Sequence, residues 1–193
     1  MIKKVILGII AIFMFVFAVA NVTQAASTNT SARKSSVPHW DKKVVKVYVP
    51  QDPKSDSMRK AFSSWQNTSN GQLSFSYAPK DKADIVVSFI DKVEGLESPL
   101  GGYTVSTNGS KITKAEIKIA TKSKAAKKYS NEYIYKTMLH EVGHVIGISH
   151  NERKPSSIMY VPINEKQKGI SKIDTINMYK VYDWSIAQRN FKN

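Results

Sequence analysis

The sequence has 193 residues and no cysteine, which excludes disulfide stabilisation and any thiol-based latch on an active site. Lysine and arginine number 29 against 15 acidic residues, and the formal charge of +14 favours anionic surroundings such as cell-wall polymers or lipid surfaces. The lysines are spread along the chain without a nucleic-acid-binding signature, so we predict no dedicated nucleic-acid site.

Residues 1–25 have the layout of a secretory signal peptide. Two lysines precede an apolar run from Val5 to Ala20, and the segment ends in small residues around Ala25. The run is shorter than the roughly 20 apolar residues of a spanning helix, which favours cleavage near Ala25. An uncleaved N-terminal anchor stays open, since Val22 could extend the run. Both alternatives place the remainder outside the cell, and an exported chain without cysteine is typical of a bacterium lacking a disulfide-forming compartment.

Residues 26–36 are polar and lack apolar periodicity, so they predict a flexible linker, and one folded domain is expected over residues 37–193. Val44 to Val49 alternates and is β-branched, which predicts a strand. A helix is predicted next, with Ser55 or Asp56 as its cap. The apolar stripe of that helix consists of Met58, Ala61, Phe62 and Trp65.

The middle of the chain predicts strands. Leu73 to Tyr77 and Ile85 to Phe89 are short apolar runs bounded by turn residues. Asp91 to Gly102 contains glycines and a proline and predicts a loop that opens into a short strand at Tyr103 to Val105. Ala115 to Ala120 alternates apolar and polar residues, which predicts a further strand.

The last third predicts helices. Ser130 is a good N-cap for a helix from Asn131 to about Ile146, followed by Gly147 as the exit. The apolar stripe of that helix consists of Tyr135, Met138, Val142 and Val145. A final helix is predicted from Ser171, with Asp174 as its capping-box partner. Strands therefore come early and long helices late, a pattern that predicts an α+β fold.

Three of the four histidines stand within eleven residues, at His140, His144 and His150. On a helix the first two lie one turn apart on one face, so two imidazoles can reach one ion at about 2.0 to 2.1 Å. Gly147 can take a positive φ and turn the chain, so that His150 closes the site. Three nitrogen ligands leave the fourth position of a tetrahedral Zn²⁺ ion open for water, which is typical of a catalytic site.

Glu141 directly follows the first of these ligands and can take a proton from the activated water, which makes it the candidate general base. A buried helix with hydrogen-bonded histidines, or a structural metal site, would need neither this glutamate nor Gly147. His39, the remaining histidine, stands beside Trp40, and we expect a surface or packing role for it.

This stretch resembles the metzincin metallopeptidases, since every fixed position of H-E-x-x-H-x-x-G-x-x-H is matched. Ser157 to Tyr160 looks like the methionine turn of that group, and a tyrosine directly after the methionine is similar to the matrixin branch, peptidase family M10. Ala83 to Phe89 also looks like a matrixin strand. The order of the predicted elements agrees with that branch from about Val37 to Tyr182.

The resemblance implies a twisted five-stranded mixed sheet, mainly parallel with one antiparallel edge strand, and three helices. It implies one catalytic Zn²⁺ ion, cleavage within polypeptide substrates, and Met159 as a hydrophobic floor under the metal without being a ligand. Substrate would lie along the edge strand by β-augmentation. The candidate residues of that strand are Gly101, Gly102, Tyr103, Thr104 and Val105. We expect a monomer.

Several departures from the resemblance limit what it implies. The chain has no cysteine and no second histidine cluster, so we predict neither a cysteine latch nor a second zinc. Val161 stands between Met-Tyr and Pro162, which alters the expected wall of the specificity pocket. The loop at 91–102, with Glu94 and Glu97, is a candidate Ca²⁺ site.

Two other functions stay open at this stage. One is a zinc-holding but catalytically idle module, retained at the anionic cell surface by the basic charge of the chain. Glu141 favours the enzyme over this module, because an idle site needs no acidic group beside the metal. The other is a deacylase with a non-protein target, since zinc-activated water is not restricted to peptides.

Overall fold

The computed structural model describes residues 37–92, 100–122 and 126–184. The predicted signal segment 1–25, the linker 26–36 and the calcium candidates Glu94 and Glu97 lie outside these ranges. Within them, no helix is long and apolar enough to cross a membrane.

Five strands form one twisted mixed sheet. They are β1 (Val44–Tyr48), β2 (Ser74–Tyr77), β3 (Ile85–Ile90), β4 (Gly101–Asn108) and β5 (Lys111–Ala120). Their order across the sheet is β2-β1-β3-β5-β4, and every pairing is parallel except the antiparallel pairing of β4 with β5. The predicted α+β class, with a mainly parallel sheet and one antiparallel edge strand, is confirmed.

The hairpin formed by β4 and β5 is longer than predicted. The predicted strand at Tyr103 to Val105 is confirmed, but the predicted loop end at Gly102 was wrong, because β4 begins at Gly101 and continues to Asn108. Its partner β5 begins at Lys111, four residues before the predicted start. Most of β4 is polar and exposed, so its pairing along β5, and not apolar alternation, defines it as a strand.

Three helices complete the fold: α1 (Ser55–Thr68), α2 (Asn131–Val145) and α3 (Lys172–Val181). The apolar residues of α1 and α2 share one core with the inward residues of the sheet. The indole of Trp65 on α1 donates a hydrogen bond of 2.8 Å to the carbonyl of Leu139 on α2. The Tyr179 hydroxyl donates to the carbonyl of Ser69 at 3.1 Å and so joins α3 to the end of α1.

Two of the three predicted N-terminal helix caps are present in the structure. Ser130 accepts from the Tyr133 amide at the start of α2, and Ser171 forms a capping box with Asp174 at the start of α3, both as predicted. The predicted cap of α1 was wrong. The Ser55 hydroxyl instead donates to two carbonyls of the preceding turn, so α1 begins without a side-chain cap.

Candidate metal centre

The C-terminal half of α2 carries two of the three clustered histidines in a buried setting. His140, Glu141 and His144 are 4%, 3% and 6% exposed. The helix is buried continuously from Thr137 to Val145, so this half of α2 belongs to the core. The two imidazoles therefore project from a rigid support.

A tight turn returns the chain to the same face after α2. Gly147 has φ of +94° and donates to the His144 carbonyl at 2.9 Å. A Cβ at this position would lie 2.2 Å from the Pro38 carbonyl oxygen, so both the dihedral angle and the available space require glycine. The turn brings His150 beside the two histidines of the helix.

The three histidines converge on one point through their Nε2 atoms. Nε2 of His144 lies 3.0 Å from Nε2 of His140 and 3.0 Å from Nε2 of His150, and the third side of the triangle is 3.2 Å. Nitrogen ligands of a tetrahedral zinc ion are about 3.3 Å apart at ordinary zinc–nitrogen distances. The donor set and its spacing therefore fit Zn²⁺ with three protein ligands.

Hydrogen bonds to the backbone fix which ring nitrogen faces the centre. Nδ1 of His140 donates to the Ile158 carbonyl at 2.8 Å, and Nδ1 of His144 donates to the Ile148 carbonyl at 2.9 Å. Both Nε2 atoms then present lone pairs, which repel one another unless a cation lies among them. Burial lowers the pKa of His140 to about 4 and, helped by the charges of the other two histidines, lowers the pKa of His144. Both rings are therefore neutral and ready to bind metal at pH 7.

Asp174 supports this arrangement from behind, a role that the sequence analysis missed. The side chain is fully buried and accepts from the Ile158 amide at 2.9 Å and from the Ser157 hydroxyl. It also accepts from the amide and hydroxyl of Ser171 at 2.8 and 2.6 Å. The backbone of Ile158 thus joins Asp174, which accepts from its amide, to His140, which donates to its carbonyl. The capping-box pattern identified the residue, but not its second set of donors.

Met159 lies under the helix that carries the ligands. It is fully buried, and a Cβ added to Gly143 would lie 2.4 Å from its Sδ atom. The Met159 carbonyl accepts from the Asn151 amide at 2.9 Å, next to His150. Met159 therefore contacts helix α2 at Gly143 and the residue that follows His150.

The start of β4 lies against Glu141. A Cβ on Gly101 would lie 2.4 Å from Oε1 of Glu141 and 2.4 Å from Cγ2 of Thr137. Burial raises the pKa of Glu141 to about 8. Gly101 therefore allows the carboxyl group to approach the sheet edge closely.

We call residues Gly101–Val105 the rim. Tyr103 stacks on His144, with ring centroids 4.2 Å apart and planes inclined by 15°. Burial, followed by the charge of Glu141, raises the pKa of Tyr103. Thr104 is exposed and pairs with Glu116, whereas Gly102 is buried. The stacking of Tyr103 on a histidine of the cluster was not predicted.

The remaining candidates lie apart from the metal centre. His39 contacts Tyr182, with ring centroids 5.4 Å apart, and is not part of the cluster. Among the residues that the structure describes, His140, His144 and His150 form the sole group of three or more His, Cys, Asp or Glu side chains that could hold a metal ion.

The family model Peptidase_M10, described as Matrixin, matches residues 39–183, a range that contains all five strands, all three helices and the histidine cluster. No match was found among curated proteins.

Proposed function

The chain belongs to the matrixin family of zinc metallopeptidases, and on that premise we propose that it is a secreted endopeptidase with His140, His144 and His150 as zinc ligands and Glu141 as general base. One observation carries the proposal: three Nε2 atoms lie within 3.2 Å of one another, and two of the rings are fixed by backbone carbonyls. A buried carboxyl group follows the first ligand directly.

A bound zinc ion would supply an activated water and polarise the scissile carbonyl. The Glu141 carboxylate would accept the proton of the attacking water and deliver it to the leaving amine. The surroundings of Glu141 favour such a role, because burial already raises its proton affinity toward neutral pH. A cation at the histidine cluster would oppose that shift and return the group toward its ionised form.

The residues of β4 that Glu141 and His144 contact set the direction of a bound substrate. Glu141 lies beside Gly101 at the start of the strand, and His144 lies beside Tyr103 further along. The group that protonates the leaving amine must lie on the downstream side of the scissile bond. Downstream substrate residues would therefore pass Gly101 and upstream residues would pass Val105, which corresponds to antiparallel addition to the edge of the sheet.

The test uses the full chain, loaded with zinc, and an unfolded protein such as casein as substrate. We expect cleavage at internal bonds and its loss in the presence of a chelator. Glu141→Ala should retain stoichiometric zinc while activity falls at least about 1,000-fold, because every metal ligand remains. A wild-type protein that binds zinc and cleaves none of several substrates would instead support the idle binding module. Loss of zinc from Glu141→Ala would contradict the role of Glu141 as a base alone.

Export and surface retention are part of the proposal. The lysines and apolar run of residues 1–25 support a cleaved signal, and the charge of +14 supports association with anionic wall or lipid. Mass spectrometry of protein recovered from the medium of an exporting bacterial host should find a chain that begins near Ala26. An intact N-terminus in the membrane fraction would support the anchor instead. Elution from wall fragments by salt would test retention.

A further inference from the structure

The indole of Trp40 completes the C-terminal end of α2. The last carbonyls of a helix have no hydrogen-bond partner within the helix. At the end of α2, the Val145 carbonyl accepts from Nε1 of Trp40 at 2.8 Å, in a buried setting. The segment that carries Trp40 is joined to the sheet, because the backbone of His39 forms hydrogen bonds of 3.0 and 2.8 Å with Ser110 and Ile112. The start of β5 therefore anchors the donor at this end of the helix.

The indole of Trp65 holds an earlier part of α2. Trp65 on α1 is fully buried, and its Nε1 donates to the Leu139 carbonyl at 2.8 Å. A carbonyl oxygen has two lone pairs, so it can accept this bond in addition to one from the helix itself. The same indole packs on Gly143, where an added Cβ would lie 3.1 Å from Cζ2 of Trp65. Helix α1 therefore contacts α2 both before and between its two histidines.

The two hydrogen bonds bracket the part of α2 that carries the candidate ligands. Leu139 directly precedes His140, and Val145 directly follows His144. The bonds from the imidazoles to backbone carbonyls fix the orientation of the rings. The indoles act instead on the backbone from which both rings project, and they do so from two different elements of the fold.

We propose that Trp40 and Trp65 are positioning residues of the metal centre, which hold the backbone of residues 139–145 so that His140 and His144 have their spacing before a metal ion binds. The proposal rests on the proposed zinc site. Nε2 of His140 and Nε2 of His144 lie 3.0 Å apart with their lone pairs directed at one point, an arrangement whose repulsion favours separation of the rings. A support that keeps the backbone in place reduces the conformational freedom lost on binding and so raises metal affinity.

The experiment measures zinc affinity of the full chain by competition with a chelator. The wild type is compared with Trp40→Phe and Trp65→Phe, which keep an aromatic ring but remove the N–H donor. One matched control is Trp184→Phe, the same substitution at the third tryptophan, which is partly exposed beyond the end of α3. The other is Phe62→Leu, which removes a fully buried ring from α1 without removing a donor to α2. Unfolding of each zinc-free variant is measured as well, and affinities are compared where all variants are folded.

We expect Trp40→Phe and Trp65→Phe each to weaken zinc affinity about 10-fold, the lower end of the effect of groups that orient metal ligands. Trp184→Phe and Phe62→Leu should keep the wild-type affinity. Phe62→Leu should nevertheless lower the stability of the zinc-free protein, because it leaves a cavity in the core. A loss of stability alone would then not account for the weaker binding of the two tryptophan variants.

A second measurement uses the unaltered chain and does not depend on the folding of any variant. Exchange of the three indole N–H protons with solvent is followed by NMR, with and without zinc. We expect the N–H protons of Trp40 and Trp65 to exchange slowly in both states, since their bonds to α2 are formed before the metal binds. The partly exposed Trp184 serves as the internal reference.

Three outcomes would overturn the positioning role and leave the endopeptidase proposal intact. The first is an unchanged zinc affinity in both Trp40→Phe and Trp65→Phe. The second is an equal loss of affinity in Phe62→Leu, which would reduce the tryptophans to general packing. The third is fast exchange of both indole protons that becomes slow only when zinc is added, since the metal would then order the indoles. A wild-type chain that binds no zinc would overturn both proposals.

Discussion

In the metal centre His140, Glu141 and His144 are at most 6% exposed, whereas Tyr103 and Val105 on the rim are more than a third exposed. The ring positions of His140 and His144 are fixed by hydrogen bonds to carbonyls on the chain that follows α2. The rim takes its shape from backbone pairing with β5. A substitution in the metal centre should therefore weaken metal binding. A substitution on the rim should instead alter substrate selectivity.

The largest effect is expected from removing a ligand. His144→Ala should lose stoichiometric zinc, and activity should fall at least about 1,000-fold, since two imidazoles cannot hold the ion in place. His39→Ala removes a histidine outside the cluster and should retain both zinc and activity. Metal analysis and casein cleavage measure the two outcomes. Zinc retention by His144→Ala would contradict the assignment of this ligand.

The second-largest effect is expected from a substitution of Asp174, which supports the ligands from behind. Asp174→Asn loses acceptor capacity for the hydroxyl and amide groups that converge on the carboxylate. We expect zinc affinity to weaken about 10- to 100-fold, and the free energy of unfolding to fall by about 2 to 3 kcal/mol. Competition with a chelator and chemical denaturation provide the measurements. The matched control is Asp56→Asn, an exposed aspartate in the first turn of α1.

Gly101 joins the two regions and should show an intermediate effect. An added methyl group would overlap Oε1 of Glu141 and Cγ2 of Thr137, so Gly101→Ala must displace the carboxyl group or the start of β4. We expect kcat to fall about 10-fold or more, because a displaced base loses its alignment. Zinc content should not change. Ser106→Ala, further along the same strand, should behave as wild type, and equal losses in both variants would argue against this local explanation.

The smallest effect concerns stability of the zinc-free protein. Burial raises the folded-state pKa of Glu141 from 4.5 to about 8, so the unfolded chain releases this proton at lower pH than the folded chain. The buried carboxyl group therefore costs stability as pH rises above 4.5. Glu141→Gln should stabilise the zinc-free protein by about 1 to 2 kcal/mol at pH 7, with the gain disappearing below pH 4.5.

Thermal unfolding at pH 4 and pH 7 tests this sign, with Glu152→Gln as the control at an exposed glutamate. The buried histidines are common to both variants and cancel in the comparison. A gain of equal size at both pH values would show that the effect does not come from titration of Glu141.

The candidate ligands of the metal centre could be identified from the sequence because their positions depend on residues that are close together in the chain. Helical spacing brings His140 and His144 together within one turn, and the caps at Ser130 and Ser171 depend on residues within three positions. The position of His150 depends on one glycine whose φ of +94° only that residue adopts readily. Such features follow from the sequence because few residues take part in each.

The rim and the support behind the ligands were decided by the tertiary structure. β4 has no apolar alternation that marks its ends, so its eight residues become a strand only through pairing with β5. Tyr103 meets His144, and Asp174 meets Ile158, across 41 and 16 positions of the chain. Such contacts cannot be predicted from sequence spacing, because they form only in the packed structure. The sheet edge packs against α2, and α3 packs against the chain that follows α2. The sequence by itself therefore determined the candidate ligands and base, while packing decided what holds them and what faces a substrate.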